Sequence, residues 1–164
     1  MTKFYFVRHG QTEWNLERRF QGGNGDSELL PSSYDDMIKV GEYLKDVSFA
    51  HVFASPLRRA RITAKNILRT MKYRGHVSLR SNIAEVGLGQ WEGELVANVK
   101  QKYATAYYNY RENLDEFEGQ EFDGEGYTKA EKRFVRFIKN LAEKYPDDNI
   151  LIISHGMALS FGIN

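Results

Sequence analysis

Lys3-Phe4-Tyr5-Phe6-Val7-Arg8-His9-Gly10 is the stretch on which the fold turns. Its first five residues form a run rich in aromatics, which suits a strand. The abrupt change to a cation, an imidazole and a glycine marks the strand's C-terminal end. The same pattern returns far along the chain, where Ile150-Leu151-Ile152-Ile153 is followed by Ser154-His155-Gly156. In an open α/β sheet, ligands bind outside the carboxyl ends of the strands. If the two strands lie parallel and near each other, His9 and His155 share that edge.

The bulk properties narrow the classes that need considering. A chain of 164 residues with 41% hydrophobic and 13% aromatic content is expected to form one domain over residues 1–164, with a substantial core. A formal net charge of +1 gives no global attraction to nucleic acid or membrane, so neither is expected as a partner, and an anionic substrate needs a local cluster of arginines. The absence of cysteine excludes disulfides, thiolate metal sites and cysteine nucleophiles. The N-terminal stretch has no apolar signal-type segment, and no run approaches the roughly 20 apolar residues of a membrane span. A cytoplasmic protein is expected; the oligomeric state, including a homodimer, is left open.

Outward from the two strands, the elements alternate. A polar, Gly-rich loop covers residues 21–27, and Pro31-Ser32-Ser33 reads as a helix start, with Met37, Val40, Tyr43 or Leu44, and Val47 at helical spacing. His51 to Ala54 is a second strand. Ser55 reads as an N-cap and Pro56 as the first helical position, ahead of a stripe of Leu57, Ala60, Ala64, Ile67, Leu68 and Met71. Val77 to Leu79 is a third strand, and residues 83–93 form a loop with three glycines. A helix is expected from Leu95 to Tyr110, an acidic surface loop over residues 114–126, and a helix from Tyr127 to Tyr145 that leads into the last strand. Strands alternating with helices predict an α/β fold: three layers, α/β/α, around a largely parallel central sheet.

Three strand-to-helix junctions carry unusual polar groups: Arg8-His9, Arg58-Arg59 and His155. Arginines in a first helical turn oppose the helix dipole and call for an anion or a carboxylate nearby. Helix N-termini and guanidinium forks both suit phosphate. A neutral imidazole is a competent nucleophile near neutral pH, and attack on phosphorus gives a phosphohistidine. A carboxylic acid must then protonate the leaving oxygen and later activate water, and Glu85, beside Gly87-Leu88-Gly89, is the best-placed candidate. His51 and His76 lack cationic company at a strand end and read as structural. Gly22, Gly23 and Gly25 make no Walker loop, Gly87-Leu88-Gly89 makes no dinucleotide fingerprint, and no histidine pair has metal spacing.

These residues are recognisable as a set. Arg8-His9-Gly10-Gln11-Thr12-Glu13-Trp14-Asn15 resembles the R-H-G-[E/Q]-[T/S]-x-x-N signature of the histidine phosphatase superfamily, the phosphoglycerate mutase-like proteins. Ser55-Pro56-Leu57-Arg58-Arg59-Ala60 resembles its second motif. Glu85 with Gly89 and Trp91-Glu92-Gly93 resembles its third, and Ser154-His155-Gly156 its last. The resemblance implies a phosphoglycerate mutase-like fold and metal-independent, cofactor-free phosphoryl transfer. It implies His9 as the nucleophile, Arg8, Arg59 and His155 as the clamp on the phosphoryl oxygens with Asn15 beside them, and Glu85 as the proton donor. Gln21 and Gly22 match a loop near the substrate mouth. Arg59, not Arg58, aligns with the family arginine.

Leu88 to Gly93 and Ser154 to Ala158 resemble the phosphatase branch, so a phosphomonoesterase acting on a small phosphorylated metabolite is favoured. A cofactor-dependent phosphoglycerate mutase and a non-catalytic phospho-ligand binder are the alternatives. The chain departs from the family pattern at Leu30-Pro31-Ser32-Ser33, where the usual capping threonine is replaced. It also carries only Met157 to Asn164 beyond the last motif, so the usual C-terminal helix and strands are expected to be missing, in a natural short form or in a fragment with an unpaired sheet edge.

Overall fold

A computed structural model describes residues 1–161. Its centre is a four-stranded parallel sheet of β1 (Lys3–Arg8), β2 (His51–Ala54), β3 (Val77–Leu79) and β4 (Asn149–Ser154), in the order β1-β4-β2-β3. The helices are α1 (Glu13–Leu16), α2 (Pro31–Leu44), α3 (Arg58–Thr70), α4 (Val96–Lys102), α5 (Ala104–Glu112), α6 (Tyr127–Lys144) and α7 (Gly156–Ser160). The α/β class and parallel sheet expected from the alternating pattern are both present.

β4 shows why this sheet is parallel and central. Ile150, Leu151, Ile152 and Ile153 are all 0% exposed, so both faces of the strand are covered there, which favours an unbroken apolar run over alternation. Ile150 and Ile152 join Phe53 in a core shared with Phe134 and Leu141 of α6 and Ala158 of α7. Leu151 and Ile153 join Val52 and Ala54 in a second core with Leu44 of α2 and Ala60, Ala64 and Leu68 of α3. The sheet is therefore the middle of three layers. α2 turns Leu44 inward and leaves Tyr43 exposed, which decides between the two residues offered by helical spacing.

Three expectations are corrected. α3 starts at Arg58, two residues later than a Ser55 cap implies, and its N-cap is Leu57, with no side-chain hydrogen bond. The Ser55 Oγ accepts the Leu57 N–H at 3.3 Å, ahead of the first helical turn, and has a second partner described below. The helix expected from Leu95 to Tyr110 breaks at Tyr103, where φ is −124° and ψ is 52°. Tyr103 is buried against Trp91 and Phe122, and its hydroxyl donates to Gln90 Oε1 at 3.0 Å. Residues 114–126 are exposed at most of their acidic positions, as a surface loop is, but not throughout. Two short 3-10 turns, Leu114–Glu116 and Gln120–Phe122, direct the carboxylates outward and bury Phe117 and Phe122. Phe122 stacks on Trp91 with ring centroids 4.3 Å apart, and Phe117 lies 5.6 Å from the same indole. The acidic composition hid these two rings, whose burial outweighs the solvation of the residues between them.

Removing one ring tests this packing. Phe122→Ala is expected to lower unfolding free energy by about 3–5 kcal/mol, as large-to-small changes in a filled core do. Glu121→Ala, next to it and exposed, should stay within about 0.5 kcal/mol. Urea denaturation of the three proteins makes the comparison, and equal midpoints for all three would contradict a buried Phe122.

Candidate active site

The in-register pairing of β1 with β4 sets Arg8 opposite Ser154, and the next residue of each strand is a histidine. The two imidazoles meet at the carboxyl edge of the sheet with ring centroids 5.1 Å apart. Both are buried. His9 Nδ1 lies 2.7 Å from the Gly10 carbonyl oxygen. A carbonyl only accepts, so Nδ1 carries the ring proton and Nε2 carries the lone pair. Gly10 itself is boxed in: a Cβ there would stand 2.8 Å from Met37 Cε and from Ser33 Cβ of α2. Its N–H donates to Thr63 Oγ1 at 3.0 Å, and that hydroxyl donates to the Arg59 carbonyl at 2.8 Å. The His9 loop is thus gripped from α2 and α3 together.

His155 Nε2 lies 2.7 Å from Ser55 Oγ. The same oxygen accepts the Leu57 N–H at 3.3 Å, so Ser55 serves both the backbone at the entry to α3 and the buried imidazole. The other ring nitrogen, Nδ1, is buried without a partner among the described residues, and so is Arg59 Nε. Arg59 is fully buried, and its other nitrogens are committed to the loop at 22–26. Nη1 donates to the Gly25 carbonyl at 2.8 Å and to Asp26 Oδ1 at 3.1 Å, and Nη2 to the Gly22 carbonyl at 2.9 Å. Arg58 is half-exposed and pairs with Glu28, so the two adjacent arginines are separated as motif alignment requires.

Glu85 is buried, and its carboxyl accepts three backbone N–H groups: Val86 at 3.0 Å, Ala158 at 3.0 Å and Met157 at 3.2 Å. Burial pushes its pKa up, against those hydrogen bonds and the nearby Arg59 cation, which pull it down. The net direction favours the protonated acid. The Glu85 loop is fastened from outside by Arg133 of α6. Its guanidinium donates to the carbonyls of Asn82, Ala84 and Glu85 at 2.8, 2.9 and 3.1 Å while pairing with both oxygens of Glu125 at 2.7 and 2.9 Å.

Arg8, Asn15, Gln21 and Glu85 line one cavity of about 640 Å³. Asn15 Oδ1 accepts from the Thr12 N–H at 3.1 Å. Gln21 Oε1 accepts from Ser27 Oγ at 2.6 Å, and Gln21 Nε2 is buried without a partner among the described residues. Gly22 does not line this cavity. It lets the chain pass where a Cβ would come within 2.6 Å of Glu92 Oε1 and 2.7 Å of the Val86 carbonyl. Gly156 plays a similar part, since a Cβ there would lie 3.1 Å from Arg8 Cζ. Sequence reasoning missed Ser55 as the partner of His155, Arg133 as the clasp on the Glu85 loop, and Tyr107, Tyr110, Arg18 and Arg111 as cavity wall. Among the described residues no group of His, Asp or Glu is arranged to hold a metal ion, and no helix is long and apolar enough to cross a membrane.

A family model of the histidine phosphatase superfamily (branch 1) matches residues 4–164. The chain belongs to that superfamily. It is 29% identical over 161 residues to GpmB of Citrobacter koseri, named as a probable phosphoglycerate mutase; the match covers 97% of this chain and 72% of that protein. It is also 29% identical over 161 residues to the uncharacterized phosphatase PhoE of Bacillus subtilis, over 97% of this chain and 74% of that one. Among solved structures, Bacillus stearothermophilus YhfR superposes with a TM-score of 0.89 at 27% identity, covering 99% of this chain and 78% of that one. The fold of this histidine phosphatase chain is therefore phosphoglycerate mutase-like.

Burial, aided by the Arg59 and Arg8 cations and opposed by the Gly10 hydrogen bond, brings the His9 pKa down from 6.5 to about 4. His155 is held well below its ordinary value by burial first and by Arg59 next. Between pH 6.5 and 4 the unfolded chain binds a proton at His9 that the folded chain refuses. Stability at this residue is therefore full above that window, falls on acidification through it by about 3 kcal/mol, and changes no further below it. A titration of the His9 ring proton resonance followed by NMR is expected to show a midpoint near 4. A midpoint near 6.5 would contradict the buried, cation-flanked geometry.

Proposed function

We propose that this chain is a phosphomonoester hydrolase that acts through a phosphohistidine at His9, without a metal ion or cofactor, on a small phosphorylated metabolite. The observation that carries the reading is the Nδ1–H bond from His9 to the Gly10 carbonyl, which leaves Nε2 unprotonated and nucleophilic at neutral pH. Nε2 attacks phosphorus as the ester P–O bond breaks. Arg8, the Arg59 Nε–H and the Asn15 amide neutralise or hydrogen-bond the phosphoryl oxygens. We assign His155 the tautomer with its proton on Nδ1, Nε2 accepting from the Ser55 hydroxyl 2.7 Å away, so that Nδ1–H is offered to the same oxygens. Gln21 extends the donor set through its free Nε2, and Gly22 serves through the carbonyl that holds Arg59 in place.

Glu85 gives its proton to the leaving alkoxide, then as a carboxylate takes one from water, whose oxygen attacks phosphorus while the P–N bond breaks. The proton and the phosphate both balance over the two steps. The connection over residues 86–95, in which Leu88 to Gly93 resemble the phosphatase branch, supports hydrolysis over a mutase. It is filled by the core residue Trp91 and by Glu92, whose carboxylate accepts the N–H groups of Asn24 at 3.0 Å and Leu88 at 2.9 Å.

Hydrolysis of p-nitrophenyl phosphate in excess EDTA tests the proposal. The wild-type chain should turn over and His9→Ala should fall to background. Glu85→Gln should lose less than about tenfold with this good leaving group, and about 10²–10⁴-fold with an alkyl phosphate whose leaving oxygen must be protonated. Activity abolished by EDTA, or an equal Glu85→Gln loss with both substrates, would contradict the mechanism.

A further inference from the structure

Arg133 of α6 belongs to none of the sequence motifs and does not line the cavity that Arg8 and Asn15 share with Glu85. Its guanidinium nevertheless directs its donors at one short stretch of chain. Nη1 donates to the carbonyls of Ser81, Asn82 and Ala84 at 3.4, 2.8 and 2.9 Å, and Nη2 to that of Glu85 at 3.1 Å. Nε and Nη2 also hold the two oxygens of Glu125 at 2.7 and 2.9 Å. Burial works against the charge on Glu125, but the Arg133 hydrogen bond and cation hold its pKa below the usual value, so the pair is ionic at neutral pH. Glu125 extends the grip to the far side of Glu85. Its N–H donates to the Gly87 carbonyl at 2.7 Å, and its Oε2 accepts the Gly87 N–H at 3.2 Å.

The stretch held in this way carries the general acid. On its inner side, the hydroxyl of Ser154, the residue before His155, donates to the Ile83 carbonyl at 2.7 Å. On its outer side stand Arg133 and Glu125. Glu85 is thus fixed at both ends, its carbonyl by Arg133 and its carboxyl by the N–H groups of Val86, Met157 and Ala158. It lines both the substrate cavity and a second hollow of about 440 Å³, whose wall includes Asn82, Glu125, Lys129 and Arg133. The loop is therefore a thin partition, backed by a hollow and held from outside by polar contacts. A carboxyl must stand within hydrogen-bond reach of the oxygen it protonates, and a misplacement of about 1 Å can cost about a hundredfold in rate.

We infer that Arg133, braced by Glu125, is a positioning residue for catalysis, setting the place of the Glu85 carboxyl relative to the leaving oxygen without touching the substrate. The inference rests on the phosphohydrolase reading and adds to it a residue outside the motifs. It makes a specific demand. A clasp that acts through Glu85 matters where the leaving oxygen needs a proton and matters little where it does not.

The test compares kcat/KM, which covers every step up to loss of the leaving group, for p-nitrophenyl phosphate and for 2-phenylethyl phosphate. Arg133→Met should lose about 10–100-fold with the alkyl ester and less than about threefold with the nitrophenyl ester. Glu125→Gln, which leaves the carbonyl bonds of Arg133 in place, should lose about fivefold with the alkyl ester and less than about twofold with the other. In the Glu85→Gln background, Arg133→Met should change the alkyl-ester rate by no more than about twofold, because two changes acting through one group are not additive. Lys132→Met, which removes the exposed cation next in sequence, should match the wild type with both esters. Circular dichroism establishes that each variant is folded, and if Arg133→Met does not fold, the same comparison on Glu125→Gln decides. A general loosening of the fold slows both esters alike and persists when the acid is gone. An equal loss with both esters, no loss with either, or a full further loss in the Glu85→Gln background would therefore overturn the inference and leave the hydrolase reading standing. A wild-type chain that hydrolyses neither ester would overturn both.

Discussion

Everything at this site depends on the parallel pairing of β1 with β4. Six residues of each strand run in register, from Lys3 opposite Asn149 to Arg8 opposite Ser154. Side chains on a strand alternate between faces, so a slip of one residue would send every inward side chain of β1 to the other face. It would also carry His9 away from His155. The pairing is secured by β4, whose four central residues are buried on both faces and admit no polar alternative. The hydrophobic core and the meeting of the two imidazoles are therefore one constraint, satisfied by the same register.

Around this pair the chain builds a dry, cationic setting from side chains that hold one another. Arg59 cross-links the loop at 22–26 through three carbonyl or carboxylate acceptors while its cation helps keep His9 and His155 neutral. Glu92 grips the same loop from the opposite side through the Asn24 and Gly25 N–H groups. Glu85 is set between α7, which supplies two of its three backbone donors, and Arg133, which fixes the carbonyls on its outer side. Burial makes opposite demands on acid and base. It lowers the histidine pKa values and raises that of Glu85, so one dry environment biases the imidazoles and the carboxyl alike toward their neutral forms.

Much of this was legible in the chain because strand ends and glycines leave a local signature. The two strand–His–Gly junctions and the parallel sheet could be read from residue order, whereas preferring Arg59 to Arg58 took the resemblance to the family motif. What escaped reading depended on contacts distant in sequence. Ser55 reads as a helix cap from its position before a proline, and its oxygen does accept the Leu57 N–H, but its other partner is an imidazole a hundred residues away. Arg133 sits in the polar face of an amphipathic helix and resembles any solvated cation; its six acceptors come from other segments. Phe117 and Phe122 were masked by the acidic residues around them. Tyr107 and Tyr110 have the helical spacing of core residues, and that spacing does not distinguish a core from a cavity wall.

The central claim is that His9 accepts the phosphoryl group. Direct trapping tests it most directly: brief incubation with a radiolabelled phosphate ester, an alkaline quench that preserves phosphohistidine, and peptide mass spectrometry to locate the label. The account predicts one labelled residue, His9, and no label in His9→Ala. Label on another side chain, or steady hydrolysis with no trapped phosphoenzyme at any time point while His9→Ala remains active, would contradict it.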